Sequence, residues 1–140
     1  MTMGLYIVQV YGKIKPGITS SISSRITSYT KGNNEAIMQA YYQAIEGYDE
    51  HVRNCENSTK HQLLPYFENP HKSHNASEYI DPKYTQIDVS YVAGLIEDRI
   101  KNHPLKLKRL KQKFLPITRY NAKSIMEGIK NFPDKYLENI

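Results

Sequence analysis

The chain has 140 residues, of which 39% are apolar, and this is enough for a single domain with a modest core. It carries 19 lysines and arginines against 14 aspartates and glutamates, so its net charge of +5 weakly favours a polyanionic partner such as nucleic acid. One cysteine excludes an intramolecular disulfide, and the sequence has neither an apolar run of membrane-spanning length nor a signal-peptide pattern at its start. We therefore expect a soluble protein without a membrane partner, located in the cytoplasm, or in the host cytoplasm if the protein is viral.

The amino-terminal segment predicts two strands followed by a helix. Residues 5–11 form an apolar run rich in β-branched and aromatic side chains, which is typical of a strand. Gly12 marks a turn, after which a second extended piece reaches Gly17, where the missing Cβ lets backbone or phosphate come close. Ser21 is a good N-cap, and apolar residues then recur at helical spacing over positions 22–29.

The middle of the chain predicts a third strand and a long helix. Residues 36–45 are apolar and aromatic with a period that fits either a helix or a strand, and the glycine that follows at Gly47 favours a strand. Residues 48–66 are predicted as a helix, and residues 69–75 as a polar loop that contains a proline.

The last third of the chain predicts mainly helices. A turn at Pro82 precedes residues 89–102, whose apolar side chains fall on one face of an amphipathic helix. Residues 105–115 are predicted as a basic helix with its own apolar stripe. Asn121 caps a further short helix, and Pro133 begins a last turn.

The basic character of residues 105–115 suggests a role in binding. Between Arg99 and Arg119 the chain has eight lysines or arginines and no acid. On a helix the apolar stripe would face the core and the cations would face outward, where they would contact a DNA backbone in a sequence-independent and salt-sensitive way. The cations predicted to bind DNA are Lys106, Lys108, Arg109, Lys111 and Lys113. An ordinary solvated helix face is the alternative interpretation.

The polar residues of the amino-terminal segment form a spaced pattern. Gly4-Leu5-Tyr6 is followed by Lys15-Pro16-Gly17, then by a small hydroxyl residue two positions later, Thr19. An arginine lies eight positions after Gly17, at Arg25, and an aromatic residue four positions further on, at Tyr29. This pattern resembles the GIY-YIG nuclease superfamily, and it is similar to a phage and bacterial branch that carries lysine in place of the second-motif tyrosine.

A second match lies further along the chain. Ser77-Glu78-Tyr79-Ile80 resembles the sequence around the essential glutamate in the lysine-bearing branch, so the resemblance covers residues 4–80. Pro16 departs from the family pattern. Because proline has no backbone N–H, it suits an edge strand better than a central one.

The resemblance implies a role for each matched residue in cutting a phosphodiester. Glu78 would hold a divalent metal, Mg²⁺ or Mn²⁺, which a single carboxylate can do with phosphate oxygens and water. Arg25 would stabilise the charged phosphate. Tyr6 would be the general base, with Lys15 lowering its pKa, and Tyr29 would orient the water or the phosphate. Close approach of the phosphate backbone is implied at Gly17 and Thr19.

The elements and the resemblance together predict an α/β (α+β) fold with a small three-stranded antiparallel sheet flanked by helices. Residues 1–82 would form the catalytic core, and residues 83–140 a basic helical extension that packs on the core or follows it. The implied activity is that of a DNA endonuclease, with double-stranded DNA as the first expectation. One module makes one nick, so a double-strand break would need a homodimer or a second binding event. The compact layout is typical of phages and mobile elements.

Two alternatives stay open at this point. One is a catalytically inactive module of the same kind that binds nucleic acid or protein, which Pro16 favours. The other is a small basic helical DNA-binding protein whose amino-terminal pattern matches by chance. A fold that is dominated by helix, with little sheet, would support the second alternative.

Overall fold

The chain folds around one antiparallel sheet. The structure, a computed structural model, describes residues 2–33, 35–68 and 78–140. Five strands follow one another across the sheet in the order β2-β1-β3-β4-β5. The strands are β1 Gly4–Val10, β2 Lys13–Thr19, β3 Ala36–Ala44, β4 Leu107–Leu110 and β5 Leu137–Asn139. The helices are α1 Ile22–Tyr29, α2 Asp49–Leu63, α3 Pro82–Thr85, α4 Val89–Asn102, α5 Ala122–Asn131 and α6 Pro133–Tyr136. Single 3₁₀ turns follow α1 and α2, at Lys31–Asn33 and Leu64–Tyr66.

Both faces of the sheet are buried. On one face, Leu5 and Ile7 belong to a cluster that α2 and α4 complete. On the other face, Tyr6 and Val8 belong to a second cluster, completed by α1 and α5. Successive side chains of a strand point to opposite faces, so a strand that is covered on both sides reads as a continuous apolar run. This explains why residues 5–11 show no alternation of apolar and polar residues.

The hairpin between β1 and β2 turns at two residues. Tyr11 and Gly12 both have positive φ, at 50° and 79°. Two-residue turns of this hand match the twist of the strands they join. The hairpin pairs Val10 with Lys13 at the turn and Gly4 with Thr19 at its open end.

Pro16 lies on an edge strand, as the sequence suggests. β2 is the outermost strand on its side of the sheet. Among the described residues its outer side meets only an isolated bridge, between Ile14 and Ile80. A proline is accommodated there because its missing N–H can face away from a partner strand. Pro16 therefore fits the sheet without breaking it.

The expectation of three strands was wrong, because the carboxy-terminal part adds two more. Residues 105–115 do not form a helix: β4 pairs with β3 over Tyr42–Ala44, and β5 pairs with β4. Leu107 and Leu110 are three positions apart, which puts them on one face of a helix but on opposite faces of a strand. Helices cover both faces here, so both leucines are buried, one in each cluster. Residues 83–140, predicted as a helical extension, thus supply strands to the same sheet.

Other predicted elements are confirmed. The ambiguous segment at 36–45 is strand β3, the helix predicted over 48–66 is α2 with its following 3₁₀ turn, and the helix predicted over 89–102 is α4. The predicted loop at 69–75 and Ser77 lie outside the described residues. The five-stranded sheet counts against the alternative of a small basic helical DNA-binding protein. None of the helices in the described part of the chain is long and apolar enough to cross a membrane.

Candidate active site

Two tyrosines meet where β1 and α1 pack together. Tyr6 is 2% exposed, and its hydroxyl lies 3.0 Å from the hydroxyl of Tyr29. The two rings are 6.1 Å apart and nearly perpendicular. α1 is held on the sheet by the buried side chains of Ile22 and Ile26, so its last residue, Tyr29, is delivered to a defined point. The sheet and the helix thus bring two predicted site residues into direct contact.

Gly17 makes room for Tyr6. Tyr6 pairs with Gly17 across the hairpin, and a Cβ added to Gly17 would overlap the Tyr6 hydroxyl and the ring carbon that bears it. The absence of a side chain at Gly17 is therefore explained by the tyrosine that occupies its place. Thr19 also has a local role, since its hydroxyl donates to the Ser21 carbonyl at 2.8 Å and accepts from the Ser21 amide at 3.0 Å. These bonds shape the turn that leads into α1.

A charged group lies beside the tyrosines, at the outer side of β2. The Nζ atoms of Lys15 and Lys60 lie 3.6 and 2.9 Å from the same oxygen of Glu78. Lys60 Nζ is also 3.4 Å from a carboxylate oxygen of Glu56. Lys15 further lies 5.6 Å from the centre of the Tyr79 ring. We call this group and the two tyrosines the edge cluster, whose members are Tyr6, Tyr29, Lys15, Lys60, Glu56 and Glu78.

Two residues of the edge cluster were missed from the sequence. Glu56 and Lys60 lie one turn apart on α2, and Glu56 is only 9% exposed although it carries a carboxylate. A signal was present, since Val52, Glu56 and Leu63 recur at helical spacing and all three are buried. An acid at an inward position of an amphipathic helix is a better candidate for function than an acid on the outer face.

Burial changes the chemistry expected of Tyr6. Desolvation raises the pKa of Tyr6 far above its ordinary value, and the neighbouring Tyr29 and Glu56 raise it further. The positive charge of Arg25 lowers the pKa of Tyr6, so the two side chains interact electrostatically, although Arg25 is exposed on the outside of α1. Lys15, expected to lower this pKa, directs its ammonium to Glu78 instead. The Tyr6 hydroxyl is thus protonated at neutral pH and acts as a hydrogen-bonding group.

The cations predicted to bind DNA fall into two sets. Arg109 of β4 donates to Glu138 at 3.0 Å and also to Glu97, while Lys113 Nζ lies 3.1 Å from Glu97. Tyr42 adds a hydroxyl donor to Glu97 at 2.9 Å. We call these five residues the Glu97 network, and they use two of the predicted cations inside the protein. The other set is half-buried or exposed and consists of Lys106, Lys108 and Lys111.

The donor set of the edge cluster fits a cation that is shared with a phosphate. In the described ranges, with residues 69–77 left out, no three acids, histidines or cysteines gather as a complete metal cage. However, the Lys60 ammonium already sits between the carboxylates of Glu56 and Glu78, so this position accepts positive charge. Mg²⁺ is commonly held by one or two carboxylates together with phosphate oxygens and water. Glu78, with Glu56 beside it, is therefore the group of carboxylates in this cluster that could hold such an ion.

Comparison of this chain with protein-family models, with curated proteins and with solved structures finds no match.

Proposed function

We propose that the chain is a divalent-metal-dependent DNA endonuclease of the GIY-YIG type. One observation carries the proposal: residues selected only by their spacing in the sequence gather at one place. They come from β1, β2, α1 and the segment before α3. Tyr6 contacts Tyr29 and is affected by the charge of Arg25, and Lys15 pairs with Glu78. Tyr79 links the two sets, since Lys15 lies against its ring and Tyr29 acts on its hydroxyl electrostatically. Chance matches to a motif have no reason to converge in space.

Arg25 would bind the phosphate to be cut. Its guanidinium is permanently charged and planar, so it can donate two parallel hydrogen bonds to phosphate oxygens. It is exposed on α1 and close enough to Tyr6 to act on its hydroxyl electrostatically. A phosphate bound by Arg25 would therefore lie beside the paired tyrosines.

Glu78, with Glu56 beside it, would hold Mg²⁺ or Mn²⁺. Both carboxylates already contact the Lys60 ammonium, which would move aside when the ion binds. A bound divalent ion neutralises negative charge on the phosphate and makes water a better nucleophile. Lys15 would stay near Glu78 and add positive charge where negative charge develops on the phosphate.

The paired tyrosines would orient the attacking water. Because burial keeps Tyr6 protonated, its hydroxyl can donate one hydrogen bond and accept another. Tyr29, at the more open end of the pair, would present its hydroxyl to the water or to the phosphate. This role replaces that of a phenolate base, which the buried position of Tyr6 does not favour.

The test is a supercoiled-plasmid nicking assay in Mg²⁺ and in EDTA, with Glu78→Gln and a matched control. Glu138→Gln is the control, because Glu138 is also an ion-paired carboxylate of similar side-chain exposure, 35% against 30%, but it belongs to the Glu97 network. We expect nicking that needs the metal, falls about a hundredfold or more in Glu78→Gln and is nearly unchanged in Glu138→Gln. Equal effects of the two substitutions would overturn the proposed role of Glu78.

A second function is favoured by the ion pairs of the edge cluster. Lys15 and Lys60 neutralise Glu78, which is also the arrangement expected of a module that binds DNA without cutting it. In that case wild-type protein and Glu78→Gln would be equally inert in the nicking assay. Both would retard DNA in a gel, and retardation would weaken steeply as salt is added.

A further inference from the structure

An exposed aromatic residue lies in residues 111–121, which connect β4 to α5 and are called the turn below. Tyr120 is 81% exposed, the highest value among the large hydrophobic side chains of the described residues. The guanidinium of Arg119 lies 4.8 Å from the centre of the ring, and it donates a hydrogen bond of 2.6 Å to the Tyr120 hydroxyl. The contact with Arg119 orients the ring, and its high exposure leaves most of the ring accessible to a ligand.

The turn beneath Tyr120 is well anchored. Ile117 exchanges two backbone hydrogen bonds with Met38 of β3, each 2.9 Å long. Asn121 accepts from the Thr118 amide at 2.8 Å and donates to the Pro116 carbonyl at 2.9 Å. Ile117 itself is fully buried. The aromatic ring thus stands on a fixed support, which lowers the entropic cost of binding a ligand.

The surroundings of the turn are basic and contain a second aromatic residue. Phe114 is 39% exposed, and the Lys113 ammonium lies 5.3 Å from its ring centre. In and next to this segment Lys111, Arg119 and Lys123 are exposed, while Lys113 is also paired with Glu97. Aromatic rings among cations are the features by which proteins bind single-stranded nucleic acid, since rings stack on bases and cations follow the phosphates.

The turn lies on the same face of the sheet as the two tyrosines of the edge cluster. Leu115 of the turn and Tyr29 pack against the same apolar cluster. α1 and α5 lie against each other on that face. A nucleic acid bound at the edge cluster could therefore reach the turn without crossing the sheet.

We propose that Tyr120, supported by Arg119, is a stacking platform for an unpaired base. The inference rests on the proposed function in that the ligand is DNA, and it specifies the substrate class as DNA with single-stranded or locally unpaired nucleotides near the bond to be cut. The exposed Lys111 and Lys123 hold the backbone, and the tyrosine ring takes the base. Fully paired DNA offers the platform no base, so it is bound more weakly.

The test uses the absence of tryptophan from the chain. Tyr120→Trp places a single indole on the platform, and Tyr91→Trp is the control because Tyr91 is 46% exposed on α4, across the sheet. The protein is titrated in EDTA with single-stranded oligothymidylate, with a blunt duplex and with inorganic polyphosphate. We expect oligothymidylate to quench the fluorescence of Tyr120→Trp by about twofold or more, with little effect of polyphosphate and little change in Tyr91→Trp. Equal quenching by polyphosphate, or equal quenching in the control, overturns the platform.

Substitution of the native residue gives an independent measurement. Tyr120→Ala should weaken binding of the single strand about 5- to 150-fold, whereas Tyr120→Phe, which keeps the ring, should change it by less than about twofold. Equal affinities of all three proteins contradict the inference. Cleavage plays no part in these titrations, so the two proposals fail separately. Metal-dependent nicking without quenching rejects the platform alone, and quenching without nicking rejects the endonuclease alone.

Discussion

The edge cluster and the Glu97 network contain the same kinds of side chain in different surroundings. Each joins tyrosine hydroxyls, carboxylates and the cations of lysine or arginine. In the Glu97 network the side chain of the central carboxylate is 9% exposed and accepts from Tyr42, Arg109 and Lys113. In the edge cluster the Glu78 side chain is 30% exposed and contacts two lysines.

The difference separates structural polar groups from those available for chemistry. A buried carboxylate with several donors has little capacity left for a ligand, and its neighbours depend on its charge. A carboxylate at the edge of a sheet can exchange a lysine for another cation at low cost, because water still reaches it. The nature of the residues therefore does not identify a site; the access of solvent and the number of fixed partners do.

The largest effect on stability is expected in the Glu97 network. Glu97→Ala would remove a nearly buried carboxylate that accepts from Tyr42, Arg109 and Lys113, although Arg109 would keep Glu138, so the free energy of unfolding should fall by about 2–4 kcal/mol. Urea denaturation measures this directly. Glu138→Ala is the matched control, since it also contacts Arg109 but is more exposed, and solvent screening limits its cost to under about 1 kcal/mol. Equal costs for the two substitutions would show that Glu97 has no special position.

Alkaline pH should destabilise the fold through groups in both regions. Burial raises the pKa of Tyr6, Tyr41 and Tyr42 above the ordinary value of 10, and it raises the pKa of the Cys55 thiol from 9 to about 11. The unfolded chain therefore releases protons from pH 9 upward while the folded chain keeps them. Their stabilising contribution is complete below pH 9 and is lost as pH rises, by about 2 kcal/mol near pH 10. Urea midpoints near pH 8 and near pH 10, with an absorbance titration of the phenols, test this, and equal midpoints would contradict it.

An added methyl group should lower the free energy of unfolding at Gly17, which packs against Tyr6, but not at Gly94, which is an open position on α4. Gly17→Ala would force the Tyr6 ring to move and would break its contact with Tyr29, lowering the free energy of unfolding by about 1–2 kcal/mol. Gly94→Ala adds the same methyl group inside α4, where it would meet no described atom within 4 Å apart from its chain neighbours and the backbone of its own helix, so it should stabilise by up to about 1 kcal/mol. Similar urea midpoints for the two variants would show that Gly17 is not required by the tyrosine.

The smallest effect on stability is expected at Glu78. Glu78→Gln removes ion pairs that are partly solvated, so the free energy of unfolding should change by less than about 1 kcal/mol, although nicking is expected to be lost. Together with Glu97→Ala, this variant separates the two regions by their responses. A large loss of stability in Glu78→Gln would instead show that the edge cluster stabilises the fold, as the Glu97 network does.

Local sequence patterns predicted several elements correctly because the information they need is close in the chain. The hairpin, α1, α2 and α4 follow from apolar periodicity, capping residues and turn residues within each segment. Pro16 was expected to suit an edge strand, because the missing N–H of proline is a property of that residue alone. The motif residues of the amino-terminal segment could likewise be named from spacing.

Strand pairing and ion pairing between segments that are far apart in the sequence could not be predicted in this way. The spacing of Leu107 and Leu110 fits a helix as well as a strand, and only the free edge of β3 makes β4 a strand. The same pairing brings Arg109, one of the cations predicted to contact DNA, into ion pairs with Glu97 and Glu138. Glu56 joined the candidate site for a similar reason, since its neighbours Tyr6 and Glu78 lie on other segments.

Residue types and their spacing along the chain indicate which side chains have the chemistry for the proposed site, and where the local helices and the first hairpin lie. Folding sets which of those residues meet, which are buried and which are already engaged. Hydrogen bonding, ion pairing and desolvation depend on distances in space, and residues far apart in the chain set those distances once both faces of the sheet are covered.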